Sequence, residues 1–282
     1  MKTLYITDLD GTFLNNNAQI SERSADIINE LTHSGVLFSV ATARTYATVM
    51  EMFDGILLPC PLVLMNGVTV YDPQKNKILI SNPIPEDVGN KVIKAFRKHG
   101  VEPMLYFQNK EILDIYYRDI ANDYQREYVS QRVNCKTKRF IKSDSPVDIS
   151  GKSLVYIVSL DKYERLKDIY DEICKIPEAR CMFYKDTYTD CYFLEIISYN
   201  VSKATGAAQV KELLGVDKII AFGDNLNDIP LFEIADECYA VSNAEDELKA
   251  IATGIIASNE EDAVAEFMLA RYKSEEGANE LS

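Results

Sequence analysis

The sequence is short of positive charge. Its 282 residues carry 30 Lys and Arg against 44 Asp and Glu, a formal net charge of −14. A duplex nucleic-acid binder needs basic side chains along the phosphates, and an anionic membrane surface attracts the same side chains. The balance argues against both partners. A small anionic ligand stays open, provided that something local reverses the field. Long apolar runs are missing too: none reaches the roughly 18 residues needed to cross a bilayer. The start, MKTLYITDLDG, has too short an apolar stretch for a secretory leader, and Asp8 and Asp10 interrupt it. The 6 cysteines form no C-x-x-C pair. In a chain of this size without a leader they read as reduced thiols, and a cytoplasmic protein is expected. Tryptophan is absent as well, which excludes nothing.

What is present is globular: 47% hydrophobic and 26% charged residues, in a length that fits about two domains. The first third alternates short apolar runs with amphipathic stretches. KTLYITDL (2–9) reads as a strand. Ser21 caps a helix on which Ala25, Ile27, Ile28 and Leu31 recur at helical spacing, and Gly35 stops it. VLFSVAT (36–42) is nearly continuous, as in a strand buried on both faces. A helix over 45–54 and the strand PLVLMN (61–66) follow, then a hairpin of VTVYD and KILI around DPQKN. The last third resumes this order. Ser202 caps a helix ending near Leu214 before Gly215, KIIAFG (218–223) is a strand, and a short helix near 228–235 precedes strands at ECYAVS and GIIA. A final helix covers 260–271, with a frayed polar tail. Such alternation predicts an α/β fold with a Rossmann-like parallel-sheet core. The middle differs. It has helices near 86–99 and 119–131, a β-α unit from 154, and a hairpin of ARCMFYKD with DCYFLEIIS. Residues 83–195 are therefore expected as an inserted α/β domain, with 1–82 and 196–282 forming the discontinuous core.

Four groups of residues carry chemistry, and each also has a plain reading. Asp8-Leu9-Asp10-Gly11-Thr12 ends the first strand, where ligands of open parallel sheets sit. Strand alternation would point Asp8 and Asp10 the same way, and two such carboxylates call for a cation. Read plainly, they are solvated acids at a strand exit. Thr42-Ala43-Arg44 ends the second strand with a hydroxyl, backbone N–H groups and a guanidinium; a turn with a solvated Arg fits as well. Lys203 lies just inside a helix N-terminus, where a cation opposes the helix dipole unless an anion is near; a snorkelling surface lysine is the alternative. Gly223-Asp224-Asn225-Leu226-Asn227-Asp228 supplies oxygen ligands for a hard cation, or an Asx-rich turn.

All four lie at strand ends of one predicted sheet, so they can converge. DLDGT, Thr42, Lys203 and GDNLND in this order resemble motifs one to four of the haloacid dehalogenase superfamily. The large insert between the second and third, with GDNxND and YFLEI (192–196), resembles the Cof-type sugar-phosphate phosphatases. The resemblance implies that Asp8 is a nucleophile forming an aspartyl-phosphate and that Asp10 is the general acid and base. It implies Mg²⁺ held by Asp8, the Asp10 carbonyl and Asp224, with Asp228 orienting that shell or Lys203. Thr42, the Ala43 N–H, Lys203 and Asn227 would grip the phosphoryl group. The second motif departs from the usual Thr-Gly-Arg at Ala43, and the lysine is followed by Ala204 where Gly is usual. Asn66-Gly67 resembles the family's substrate loop, and a plain Asn-Gly turn fits equally. The implied activity is hydrolysis of small phosphorylated metabolites. A phosphomutase would use the same residues, and a non-enzymatic phospho-switch of the receiver type fits a 282-residue capped chain poorly. The expected partner is a small phosphate ester, with no nucleic acid and no membrane, and the chain is expected as a monomer or homodimer.

In the resemblance the insert is a cap that selects substrate. Residues 83–195 hold 19 basic and 19 acidic side chains, leaving 11 of the 30 and 25 of the 44 to the core. The whole deficit belongs to the core. The insert also holds 11 of the 17 tyrosines, suited to a sugar or aromatic face or to ordinary packing. Lys185, Asp186, Tyr188 and Asp190, in its last hairpin, are the candidate substrate loop, with Arg44 a further candidate. The basic run Cys135-Lys136-Thr137-Lys138-Arg139 reads as a solvated face.

Overall fold

A computed structural model describes residues 2–135, 137–186 and 189–279. The chain opens with β1 (Thr3–Thr7), α1 (Glu22–His33), β2 (Leu37–Val40), α2 (Tyr46–Met52), β3 (Leu62–Leu64), β4 (Thr69–Asp72) and β5 (Lys77–Ser81). It continues through α3 (Glu86–Lys98), β6 (Met104–Asn109), β7 (Ile112–Tyr117), α4 (Asp123–Ser130), β8 (Lys138–Lys142), β9 (Leu154–Asp161), α5 (Tyr163–Ile173), β10 (Ala179–Lys185) and β11 (Tyr192–Ser198). It closes with α6 (Lys203–Leu214), β12 (Lys218–Gly223), α7 (Ile229–Ile234), β13 (Glu237–Val241), α8 (Asp246–Ile251), β14 (Gly254–Ile256) and α9 (Ala263–Asn279). Two compact units result: one from the residues up to Ile80 together with those from Ser202, the other from Ser81–Val201. The expected break at 195 falls inside β11, which runs on to Ser198. No charged residue lies in the difference, so the −14 still belongs to the first unit.

The first unit is built on a parallel sheet in the order β14-β13-β12-β1-β2. A parallel bridge between Ala41 and Val63 leads to an antiparallel group, β3-β4-β5. Both faces of the sheet are covered, so its strands read as apolar runs. On one face Tyr5, Phe38, Val40 and Phe222 pack with Ile27, Ile28 and Leu31 of α1, Val49 of α2, and Val264 and Met268 of α9. On the other, Leu4, Ile6, Ala221 and Ala240 pack with Ala207 and Val210 of α6, Leu231 of α7 and Leu248 of α8. The predicted caps form. Ser21 accepts from the Ser24 N–H, and Ser202 and Thr205 make a reciprocal capping box ended by Gly215 at φ 58°. The last helix corrects the expectation of a frayed tail over 274–279, and 280–282 lie outside the described residues. It continues to Asn279, with Arg271 and Tyr272 reaching Glu275 and Glu276 at one-turn spacing.

The second unit is a six-stranded sheet, β10-β11-β9-β6-β7-β8, antiparallel except at β7–β8. Helices α3 and α5 cover one face through Val88, Val92, Phe96, Leu166 and Ile169. Strands β6, β7 and β8 had no sequence expectation. The basic run meets the edge strand β8, where Arg139 pairs with Asp114 at 2.7 Å. Several tyrosines pack within the unit: Tyr106 lies 5.7 Å from Tyr156, and the Tyr106 and Tyr128 hydroxyls are 2.6 Å apart.

One glycine shows how closely the first unit is assembled. Gly67 has φ 97°, and a Cβ there would stand 2.1 Å from the Ser202 carbonyl oxygen at the start of α6. Gly35 has φ 90° with nothing within 4 Å. We predict that Gly67→Ala costs several kcal/mol in urea unfolding, whereas Gly35→Ala costs only about 1–2 kcal/mol, the backbone penalty alone. Equal losses would refute the close contact.

Candidate active site

Strand β1 stops at Thr7, one residue before the first acid. The Asp8 N–H still donates to the Phe222 carbonyl at 3.0 Å, which keeps Asp8 in line with β12. The chain then makes a wide turn over Leu9–Phe13, with Gly11 at φ 73°. Asp8 is buried against Lys203, while the half-exposed Asp10 carboxylate is held by Arg44 through bonds of 2.8 and 2.6 Å. A glycine is required at position 11, because a Cβ there would stand 2.4 Å from Asp224 Oδ2.

Lys203 is at the centre. Its Nζ lies 2.8 Å from Asp8 Oδ1 and 2.6 Å from Asp228 Oδ1, and the three residues are 1%, 5% and 0% exposed. The capping box of α6 sets the lysine at the first position of the helix, and the two carboxylates answer its conflict with the dipole. Burial works against its charge, but Asp228 and Asp8 more than offset this and raise its pKa. Asp228 is fully used: its second oxygen accepts from the Asp224 and Asn225 N–H groups at 3.1 and 3.2 Å. Asp224 Oδ1 accepts from Thr12 Oγ1 at 2.8 Å. Carboxylate oxygens of Asp8, Asp224 and Asp228 all lie within 4.8 Å of one another.

Three carboxylates face one ammonium, so the cluster is over-supplied with negative charge. Burial pushes the Asp8 carboxyl up, Lys203 pulls it down, Asp228 pushes it up again, and the net direction is up. Burial likewise pushes Asp224 up to about 6 from 3.8, against the Thr12 hydrogen bond and with help from Asp228. A set of hard oxygen donors with unbalanced charge fits a divalent cation such as Mg²⁺. Asp8 and Asp224 have oxygens to give, whereas Asp228 has spent both of its own on Lys203 and the backbone.

The remaining sequence candidates divide into two groups. Thr42 is buried, and its Oγ1 accepts from the Arg44 N–H at 3.1 Å. The Asn66 N–H donates to the Thr42 carbonyl at 2.9 Å and the Met65 N–H to the Arg44 carbonyl at 3.0 Å, so the two loops are tied. Asn66 at φ 55° and Gly67 at φ 97° form a left-handed turn pressed on α6, in the loop of the hairpin that pairs Leu64 of β3 with Thr69 of β4. Ala43 and Asn227 are exposed. In the other unit Lys185 pairs with Asp190 at 2.8 Å, and Asp186 accepts from Thr189 at 2.9 Å. Tyr188 lies outside the described residues. Thr12 had no assigned role although it stands in the first motif, and Asn243, which donates to the Gly11 carbonyl at 2.8 Å, carries no local signal in the sequence.

A family model described as haloacid dehalogenase-like hydrolase matches residues 5–268. The chain belongs to the haloacid dehalogenase-like hydrolases. Among curated proteins it is 28% identical over 268 residues to the 5-amino-6-(5-phospho-D-ribitylamino)uracil phosphatase YitU of Bacillus subtilis, covering 94% of this chain and 96% of that one. A crystal structure from Thermotoga maritima superposes with a TM-score of 0.74 at 23% identity, over 96% and 97% of the two chains. A sugar phosphatase of subclass IIB of this superfamily gives 0.70 at 17% identity, over 96% and 98%. The family and the phosphatase relatives make this hydrolase a phosphatase of the Cof type.

The buried ion cluster makes two predictions. Lys203→Met leaves Asp8 and Asp228 without a counter-ion. The expected loss is about 3–5 kcal/mol at pH 7, read by urea unfolding, and a loss under about 1 kcal/mol would contradict the buried pairing. In the metal-free protein the folded state holds the Asp224 proton up to about pH 6, whereas the unfolded chain releases it near 3.8. This group's contribution to stability therefore falls as pH rises from about 4 to 6. Urea midpoints of Asp224→Asn should drop less over that window than those of the parent, and an identical slope would contradict the shift.

Proposed function

We propose that the chain is a Mg²⁺-dependent phosphatase of small phosphorylated metabolites, foremost sugar phosphates, acting through an aspartyl-phosphate. The observation that carries the reading is Lys203 buried between Asp8 and Asp228, with Asp224 completing an oxygen cluster at the ends of β1 and β12. Asp8 attacks phosphorus, forming the P–O bond as the bond to the leaving alcohol breaks. Asp10 gives that alcohol its proton and later takes one from the water that hydrolyses the acyl-phosphate. Arg44 occupies both oxygens of the Asp10 carboxylate in the arrangement described, so Asp10 leaves the guanidinium before it acts as an acid. Thr42 Oγ1, the Ala43 N–H, Lys203 and Asn227 hold the phosphoryl oxygens as charge develops. Asp8, the Asp10 carbonyl and Asp224 would hold Mg²⁺, which supplies Lewis-acid neutralisation of the phosphoryl oxygens. Asp228 fixes Lys203 and the Asp224 loop. The substrate's leaving group is read by the insert, with Lys185, Asp186, Tyr188 and Asp190 as candidates and Arg44, Asn66 and Gly67 as further ones. The subclass IIB sugar phosphatase supports sugar phosphates, and the Bacillus relative adds a ribitylaminouracil phosphate.

A cytoplasmic location accompanies this reading. Among the described residues no helix is long and apolar enough to cross a membrane, and the cysteines are unpaired.

The test is release of inorganic phosphate from a panel of para-nitrophenyl phosphate, hexose phosphates, polyol phosphates and the ribitylaminouracil phosphate. Activity with Mg²⁺ should vanish with EDTA and fall by about 10³-fold or more in Asp8→Asn, because the nucleophile is lost. Isomerised sugar phosphate without free phosphate would indicate a mutase, and no reaction with any ester would refute the proposal.

A further inference from the structure

We propose that Asn243, which lies outside all four motif segments, is a positioning residue that holds the Asp8–Asp10 loop and the Asp224 loop at the spacing a divalent cation needs. The inference rests on the metal-dependent reading above.

The segment leaving β13 turns sharply at Ser242–Ala244, with Ala244 buried and its N–H donating to the Val241 carbonyl at 2.9 Å. That turn presents two donors to two different loops. Asn243 Nδ2 donates to the Gly11 carbonyl at 2.8 Å. Two residues on, the Glu245 N–H donates to the Asp224 carbonyl at 2.8 Å. One short turn thus grips the backbone of both acid-bearing loops, which also meet directly where Thr12 Oγ1 donates to Asp224 Oδ1.

The amide itself is anchored. Asn243 Oδ1 accepts from the Asn259 N–H at 3.0 Å, and the buried Asn259 side chain donates to the Leu14 carbonyl at 2.9 Å. The wide turn over Leu9–Phe13 is therefore held at Gly11 and at its exit by one connected set of side-chain amides. Gly11 is the residue that needs holding. It lies at φ 73°, pressed against Asp224, and glycine has no Cβ to restrict the peptides beside it. The amide side chain supplies the donor to Gly11 and the acceptor for Asn259 from its two separate atoms. A carboxylate in its place would set an oxygen against the Gly11 carbonyl. Asn243 is solvent-exposed, so its loss opens no core cavity. Its contribution falls on site geometry, and removal of such outer partners weakens metal binding by about 10–100-fold in characterised metal sites.

The test uses the full-length protein with Mn²⁺ as probe, its binding followed by electron paramagnetic resonance and checked by Mg²⁺ calorimetry. Asn243→Ala and Asn243→Asp should both bind about tenfold more weakly than the parent, with the Tm of the metal-free protein little changed. Asn243→Asp matters because it keeps the acceptor and loses only the donor to Gly11. Unchanged affinity in Asn243→Ala overturns the inference, as does a weakening matched by a large fall in metal-free Tm, or absence of Mn²⁺ binding by the parent. If the parent binds Mn²⁺ yet hydrolyses no ester, the phosphatase reading falls while this measurement stands.

Discussion

Everything in the first unit converges on a single buried ammonium. Lys203 is 1% exposed, and it holds its charge only because Asp8 and Asp228 stand within hydrogen-bond reach. A buried charge without such partners would cost several kcal/mol, a large part of the net stability of a domain. That constraint dictates the surroundings. The capping box at Ser202 fixes where α6 begins, Gly67 lets the neighbouring loop lie against that start, and Asp228 closes its own turn so that one oxygen is left for the lysine. The core clusters on both faces of the parallel sheet provide the rigidity that keeps these distances short.

Lys203 nevertheless balances only one of the carboxylates around it. The excess sits at Asp8 and Asp224, where burial raises both pKa values. The cluster is therefore better suited to a cation than to water, and a phosphate ester would be repelled until the balance is restored. The net charge of −14, read at first as evidence against nucleic acid, is concentrated in the unit that contains this cluster, while the insert is neutral.

Much of this arrangement was legible in the sequence, for a physical reason. Strands covered on both faces must be apolar throughout, so TLYIT and KIIAFG stand out and their polar exits mark one edge of the sheet. Ser202 and Gly215 punctuate α6 by well-known capping chemistry. Other features left weaker traces. Strands β6 and β7 are interrupted by polar residues at Gln108, Asn109 and Asp114; they pair with each other, and their outer partners β9 and β8 come from later in the chain. Asn243 is a single amide in a loop, and nothing local distinguishes it from any solvated Asn.

The discontinuity of the first unit governs the order in which the chain can fold as it is made. During synthesis β1 emerges early, yet its neighbour β12 lies more than two hundred residues later, and Asp8 has no lysine until Lys203 appears. The insert, contiguous over Ser81–Val201, has all of its strands available before α6 is translated. At roughly 5–20 residues per second, the first segment waits about ten seconds or more for its partner strand. Over that interval β2 is the one strand partner β1 has, and Asp8 is without Lys203 and Asp228.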